Sequence, residues 1–484
     1  MARRMKARGV APVVPTTSSV NNRKPARIST RGQEVREMMH HLTQYRASGI
    51  LLLALALGGC GGGSGDESDT PYQPSVPDDT GSTTTDVGTA NDAGSATNDA
   101  GTANDTGSTT NDAGTANDAG DADGTTDADE EPVGFCDPEQ TAEIQARFEK
   151  DAPKNVDAVA FVKDPACGSR YFTRGPSKYP VTTPHLIASN TKMYVASLIL
   201  MLADDGLLSL DDSISKWIDK VPGGNAITVR QTLNHTSGIA DYLADYFGFG
   251  MEAMSGKKYT PQDLINRGFS KPVSFPPGEG WSYSNTNYVI LGVIAEKVGG
   301  KPVEQQIRQR ILEPIGAENT FFFGKETPSG DVAFGRTFLG GNGLTFWDPS
   351  ASWCAGSCLA TAEDLANFVE RRSSGALHSA AANKELFATV EAGETLEAGP
   401  GLLIWDESIT NGGGPAVGHG GDLPGYHSYA LYYPDKKTTV VLIVDSDAGP
   451  GFILSGFPWG VTYREALLTS ITGPLFEDTA DAGQ

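Results

Sequence analysis

Ser189-Asn190-Thr191-Lys192 places a hydroxyl and an ammonium three residues apart. On a helix that spacing puts both groups on one face, within reach of each other. A hydroxyl is a weak nucleophile until a neighbouring base takes its proton, and a lysine becomes such a base when burial lowers its pKa. The same spacing recurs at Ser213–Lys216 and Ser255–Lys258. Ser213 sits among Asp211, Asp212 and Lys216 on what reads as a solvated turn. Ser255 precedes Gly256, Lys257 and Lys258 in a polar stretch. Only Ser189 combines an apolar lead-in, Leu186-Ile187-Ala188, with an apolar run after its lysine. A helix starting there would aim backbone N–H groups at the serine.

The element that must hold this pair is a buried helix over Thr191–Asp204, ended by Gly206. Before it, Thr141–Lys150 reads as a helix, and Asp157–Lys163 and Arg170–Thr173 as strands around a turn with Pro165 and Gly168. Further helices are expected at Thr228–Leu233, Pro261–Arg267, Asn287–Val298, Val303–Ile311 and Thr361–Val369. Tyr426–Tyr433 and Thr438–Val444, joined by Pro434-Asp435-Lys436-Lys437, read as an antiparallel hairpin. Strands at both ends with helices between them predict a mixed α/β domain. Its terminal segments share an antiparallel sheet flanked by helices, beside a mostly helical lobe.

Three separated elements, Ser189-Asn190-Thr191-Lys192, Tyr283-Ser284-Asn285 and His419-Gly420-Gly421, occur in an order that resembles the penicillin-recognising serine hydrolases. The class C β-lactamase and D-alanyl-D-alanine carboxypeptidase branch is the nearest pattern, and the Ser-x-x-Lys element is shared with related enzymes. Leu233-Asn234-His235-Thr236-Ser237-Gly238-Ile239, Phe275-Pro276-Pro277-Gly278 and Gly418–Tyr426 also look like this family. The resemblance spans roughly residues 141–470 and implies a β-lactamase/transpeptidase-like fold and an acyl-enzyme mechanism. By it, Ser189 is the nucleophile and Lys192 receives or relays its proton. Tyr283 assists acylation and protonates the leaving group, provided that the lysine stabilises its phenolate. Asn285 orients Lys192 and donates to the substrate. The N–H groups of Ser189 and Asp422 form the oxyanion hole.

The third element departs from the commoner Lys-Thr-Gly. His419, only partly charged near neutral pH, would face a substrate carboxylate or hydrogen-bond with Tyr283. Gly420 supplies no hydroxyl, and Gly421 would let substrate approach the strand closely. These changes favour a peptidase or esterase over an efficient β-lactamase, with a D-amino-acid peptide of the cell wall as the expected substrate. An esterase, a class C-like β-lactamase and a non-catalytic sensing module on the same fold are the alternatives. The pocket walls fall on Asp241–Tyr259 and Gly324–Trp353. His235 reads as a structural hydrogen-bonder in turn chemistry. His185, His378 and His427 have no partners at ligand spacing, so no metal or cofactor is expected.

The rest of the chain speaks of export. Ile50–Leu57 is too short to span a bilayer. With Arg46 before it and Leu57-Gly58-Gly59-Cys60 after it, it reads as a lipoprotein-type signal within residues 1–60, with Cys60 as the lipid-bearing residue. A start at Met38 or Met39 would give that signal an ordinary length. Residues 61–134 carry 17 acidic and no basic side chains, with Asn-Asp-Ala/Thr-Gly recurring at 91, 98, 104, 111 and 117. Such a tract cannot offset its ordering entropy and should stay extended, as a tether. Residues 135–484 form the folded domain, with 27 basic and 41 acidic residues. That balance excludes a nucleic-acid partner. The expected assembly is a monomer, lipid-anchored in the cell envelope or secreted, with a peptide or ester as substrate. Cys136, Cys167, Cys354 and Cys358 allow three pairings. Cys136–Cys167 with Cys354–Cys358 is the expected set: the first staples the opening helix to an early strand, and the second closes a small loop.

Overall fold

The computed structural model describes residues 136–476 apart from 153, 178, 254, 338–346 and 447–462. The expected signal, Cys60 and the acidic tether lie outside these residues, as does part of the 324–353 wall. Eight antiparallel strands form the main sheet, in the order β2-β1-β11-β10-β9-β8-β7-β6. The first two are β1 (Ala158–Asp164) and β2 (Gly168–Arg174). Then come β6 (Val390–Gly393), β7 (Leu396–Gly399), β8 (Leu402–Trp405) and β9 (Ala416–Leu423). The last two are β10 (Tyr426–Tyr433) and β11 (Thr438–Val444). A small second sheet orders β3 (His185–Leu186), β5 (Cys358–Ala360) and β4 (Phe321–Phe322) as β3-β5-β4.

The pairing of β1 with β11 joins the two ends of the domain, as the composition of those strands demands. All seven side chains of β11 are buried, so both of its faces must be covered. The period-2 alternation of a strand then sorts side chains between two cores. Ala158, Ala160 and Val162 of β1 join Val440, Leu442 and Val444 beneath the helices Pro138–Asp151 and Tyr463–Phe476. Val159, Phe161, Val441 and Ile443 face the larger core, which includes the helical lobe.

The helix Thr191–Asp204 begins and ends where the sequence predicts. Eleven of its side chains are buried, which marks a helix packed on all sides. The expected Val303–Ile311 helix is broken instead. Its α-helical part is Val303–Ile307, a π-helical turn follows over Arg308–Leu312, and a short α-helical turn ends at Ile315. Strands β6 to β8 were not legible beforehand. They are only four residues each; β6 alternates between half-buried and exposed residues, and β8, though apolar, is too short to show a period. His419–Gly421 lie inside β9, one strand before the predicted hairpin. A tight turn at Pro424-Gly425, with Gly425 at φ +81°, connects β9 to β10.

Cys136 and Cys167 are bonded and tie the first helix to the β1–β2 turn. The second expected disulfide does not exist: Cys354 and Cys358 are free, buried thiols. Their backbone serves other contacts. Cys358 N–H donates to Thr191 Oγ1 at 2.9 Å, and the Cys354 side chain packs so closely on Gly292 that a Cβ there would lie 2.3 Å from Sγ.

Candidate active site

Ser189 occupies a one-turn 3-10 helix, Ala188–Asn190, that runs directly into the helix Thr191–Asp204. Ala188 holds φ +49°, a left-handed conformation that costs energy for a residue with a Cβ and recurs at functional sites. The turn is fixed from behind. Asn190 Nδ2 donates to Ser428 Oγ at 2.8 Å, and Ser428 Oγ donates to the Ile187 carbonyl at 3.0 Å. Gly421 of β9 lies against the same place. A Cβ on it would meet the Ile187 oxygen at 2.3 Å and Ser428 Oγ at 2.5 Å. A close approach that requires glycine here is therefore the one between the strand and the serine's own turn.

Lys192 is fully buried, at the second residue of the helix Thr191–Asp204. Its Nζ donates to Asn285 Oδ1 at 2.8 Å and to the Ala355 carbonyl at 2.6 Å, and lies 3.1 Å from Ser189 Oγ. The first two partners only accept, whereas the third can donate. A neutral amine has two N–H groups and one lone pair, so this set matches a neutral amine facing the serine hydroxyl. Burial pushes the lysine pKa down to about 7, with the Asp241 carboxylate opposing the shift. Asn285 is itself oriented by Asp241, whose two carboxylate oxygens accept from the Asn285 side-chain amide at 3.0 Å and its backbone N–H at 3.2 Å. The second bond places a carboxylate at the N-terminus of the helix Asn285–Gly299. Asp241 and the Ala355 carbonyl went unrecognised in the sequence, because neither has a local pattern that ties it to the lysine.

Tyr283 completes the group from the segment before that helix. Lys192 Nζ sits over its ring, 4.9 Å from the centroid. The phenolic oxygen is buried and no hydrogen bond of ordinary geometry reaches it, although the nearby Ser189 favours ionisation slightly. Burial dominates and raises the phenol well above its usual range. This direction favours the protonated phenol and runs against the expected lysine-stabilised phenolate.

His419 faces Tyr283 across 6.0 Å between ring centroids. It is buried, and desolvation, aided by the Lys192 charge, lowers its pKa to about 3. The partial charge expected near neutral pH is lost. Its Nδ1 lies within hydrogen-bond distance of the Gly420 carbonyl, so Nδ1 carries the proton. Asp422, on the same strand, pairs its carboxylate with His427 Nδ1 at 2.7 Å. His235 is a hydrogen-bonder, as expected: its ring accepts the Ser284 N–H at 3.1 Å.

The family model described as Beta-lactamase matches residues 159–454. "Penicillin-binding protein 4*" of Bacillus subtilis is 28% identical over 321 residues, covering 60% of this chain and 69% of that protein. Among solved structures, a D-stereospecific amidohydrolase from Streptomyces sp. superposes with a TM-score of 0.59 at 26% identity, over 69% of this chain and 98% of its own. The D-amino acid amidase from Ochrobactrum anthropi SV3 gives 0.61 at 26%, over 70% and 97%.

Proposed function

The chain belongs to the beta-lactamase family of serine hydrolases, and from that premise we propose that it hydrolyses amide or peptide bonds of D-amino-acid substrates through an acyl-enzyme on Ser189. The observation that carries the reading is the set of contacts at Lys192 Nζ, two acceptors and one hydroxyl around a buried amine. Neutral Lys192 takes the Ser189 proton as Oγ attacks the acyl carbon. The oxyanion forms against the backbone N–H groups of Ser189 and Asp422, where one preorganised donor contributes on the order of 10²–10³ in rate. Asn285, with one amide N–H on Asp241, offers the other to the substrate carbonyl. The C–N bond then breaks as the Tyr283 phenol protonates the leaving nitrogen and regains a proton from the Lys192 ammonium; water, giving its proton to the lysine so freed, attacks the ester, and Ser189 Oγ takes that proton back as the acid leaves. Two groups pushed in opposite directions by their surroundings thus divide the roles of base and acid.

His419 decides among substrates. A neutral imidazole whose Nδ1–H is engaged offers only a lone pair at Nε2, which repels a carboxylate. The adjacent Gly420 supplies no hydroxyl. A substrate uncharged on the leaving side, an amide or ester, suits the site better than a peptide with a free C-terminal carboxylate. The likeness to a D-stereospecific amidohydrolase and a D-amino acid amidase supports the same choice.

The test is hydrolysis by the full chain of D-alanine amide, a D-Ala-D-Ala peptide, a p-nitrophenyl ester and a chromogenic cephalosporin, each beside Ser189→Ala. Amide and ester should turn over faster than the carboxylate-ended peptide and the cephalosporin, with all turnover lost in Ser189→Ala. Unchanged rates in that variant would remove the nucleophile, and preference for D-Ala-D-Ala would remove the amidase reading while keeping the mechanism.

A further inference from the structure

We infer that His235 is a positioning residue that sets the Tyr283 phenol against Ser189, an inference that rests on the reading of Tyr283 as the proton donor. His235 grips the chain on both sides of that tyrosine. Its backbone carbonyl accepts the Ser282 N–H at 3.1 Å, and its ring Nδ1 accepts the Ser284 N–H, also at 3.1 Å. Between these two anchors its ring stacks on Tyr283, with centroids 4.5 Å apart and planes inclined by 29°. Tyr288 closes on the imidazole at 5.3 Å. To make these contacts the residue holds φ +66°, a left-handed conformation that is uncommon for residues with a Cβ but that histidine, like asparagine, adopts more readily than most.

The combination explains the residue type. A backbone N–H can only donate, so Nδ1 is unprotonated and the ring must stay neutral to serve. Complete burial keeps it so, with the Lys192 charge acting in the same direction. Phenylalanine could stack but not accept the Ser284 N–H. Asparagine could accept, and tolerates the left-handed backbone, but presents no ring. Neither of the two contacts alone fixes the phenol, because a tyrosine side chain turns about two bonds even when its backbone is anchored. The ring contact restrains the side chain, and the two hydrogen bonds restrain its backbone.

His235→Phe and His235→Asn, made in the full chain, separate the two contributions. The substrates are D-alanine p-nitroanilide and D-alanine p-nitrophenyl ester, which share an acyl group. The anilide nitrogen must be protonated to leave, whereas the nitrophenolate leaves without a proton. Both variants should lower kcat/KM on the anilide about 10- to 100-fold while the ester changes less than about 3-fold. In a Tyr283→Phe background the same substitutions should add little, since they act through the missing hydroxyl. Equal losses on anilide and ester, or losses fully additive with Tyr283→Phe, would assign His235 to stability alone and overturn the inference. If His235→Phe fails to fold, His235→Asn carries the test, with thermal melting as the control. If Tyr283→Phe leaves the anilide rate unchanged, the proton-donor reading itself fails and the inference falls with it; if it lowers that rate while both His235 variants do not, only the positioning role falls.

Discussion

At the scale of single residues, burial pushes two neighbouring pKa values apart. Lys192 is lowered to about 7 by burial, so its lone pair is lost as pH falls through that value. The pH profile of kcat/KM on an amide should therefore show an acid limb near 7, and Lys192→Met should lower the rate by about 10²–10⁴. Asp241 raises the lysine pKa by its charge, so Asp241→Asn should move that limb to lower pH while weakening the hold on Asn285. A limb that stays in place would mean that another group titrates there. Tyr283 moves in the opposite direction for the same cause, loss of water around the charged form.

Strand β9 is the element on which the geometry depends. It carries His419 and Asp422, and its Gly421 touches the Ile187 carbonyl beneath Ser189. Gly421→Ala should destabilise the fold by about 1–3 kcal/mol through overpacking, and should also reduce kcat by displacing the serine. A calorimetric melt with an activity assay on the same preparation checks both; an unchanged melt with full activity would show that strand and turn can part freely. Element boundaries were most legible where burial was nearly complete, as in the helix Thr191–Asp204 and in β10 and β11. They were least legible at β6 to β8 and at the π-helical turn Arg308–Leu312. There pairing with neighbours, rather than the residues themselves, sets the structure.

At the largest scale, the described residues are held by strands from both ends of the domain and by helices over each face of the sheet. Cys136–Cys167, 31 residues apart, closes a loop at the start of that arrangement. Replacing both cysteines by serine should cost roughly 2–4 kcal/mol, read as a lower midpoint in urea. Cys354 and Cys358 are buried and their thiols are raised by desolvation, Cys358 to about 12. They should react with a thiol reagent only after unfolding, and rapid reaction of the native protein would contradict their burial.

Sequence alone was enough to single out Ser189 and Lys192, because their juxtaposition is local: three residues on one helix face, in an apolar setting. It also foretold the mixed fold, since the long buried segments at each end have to pair. Tertiary structure decided the surroundings that set charge: the burial of His419 and Tyr283, and a lysine held by Asn285, itself oriented by Asp241, and by a distant carbonyl. It also left Cys354 and Cys358 unbonded. Those outcomes depend on how much water and which dipoles surround a group, and groups far apart in the chain supply both.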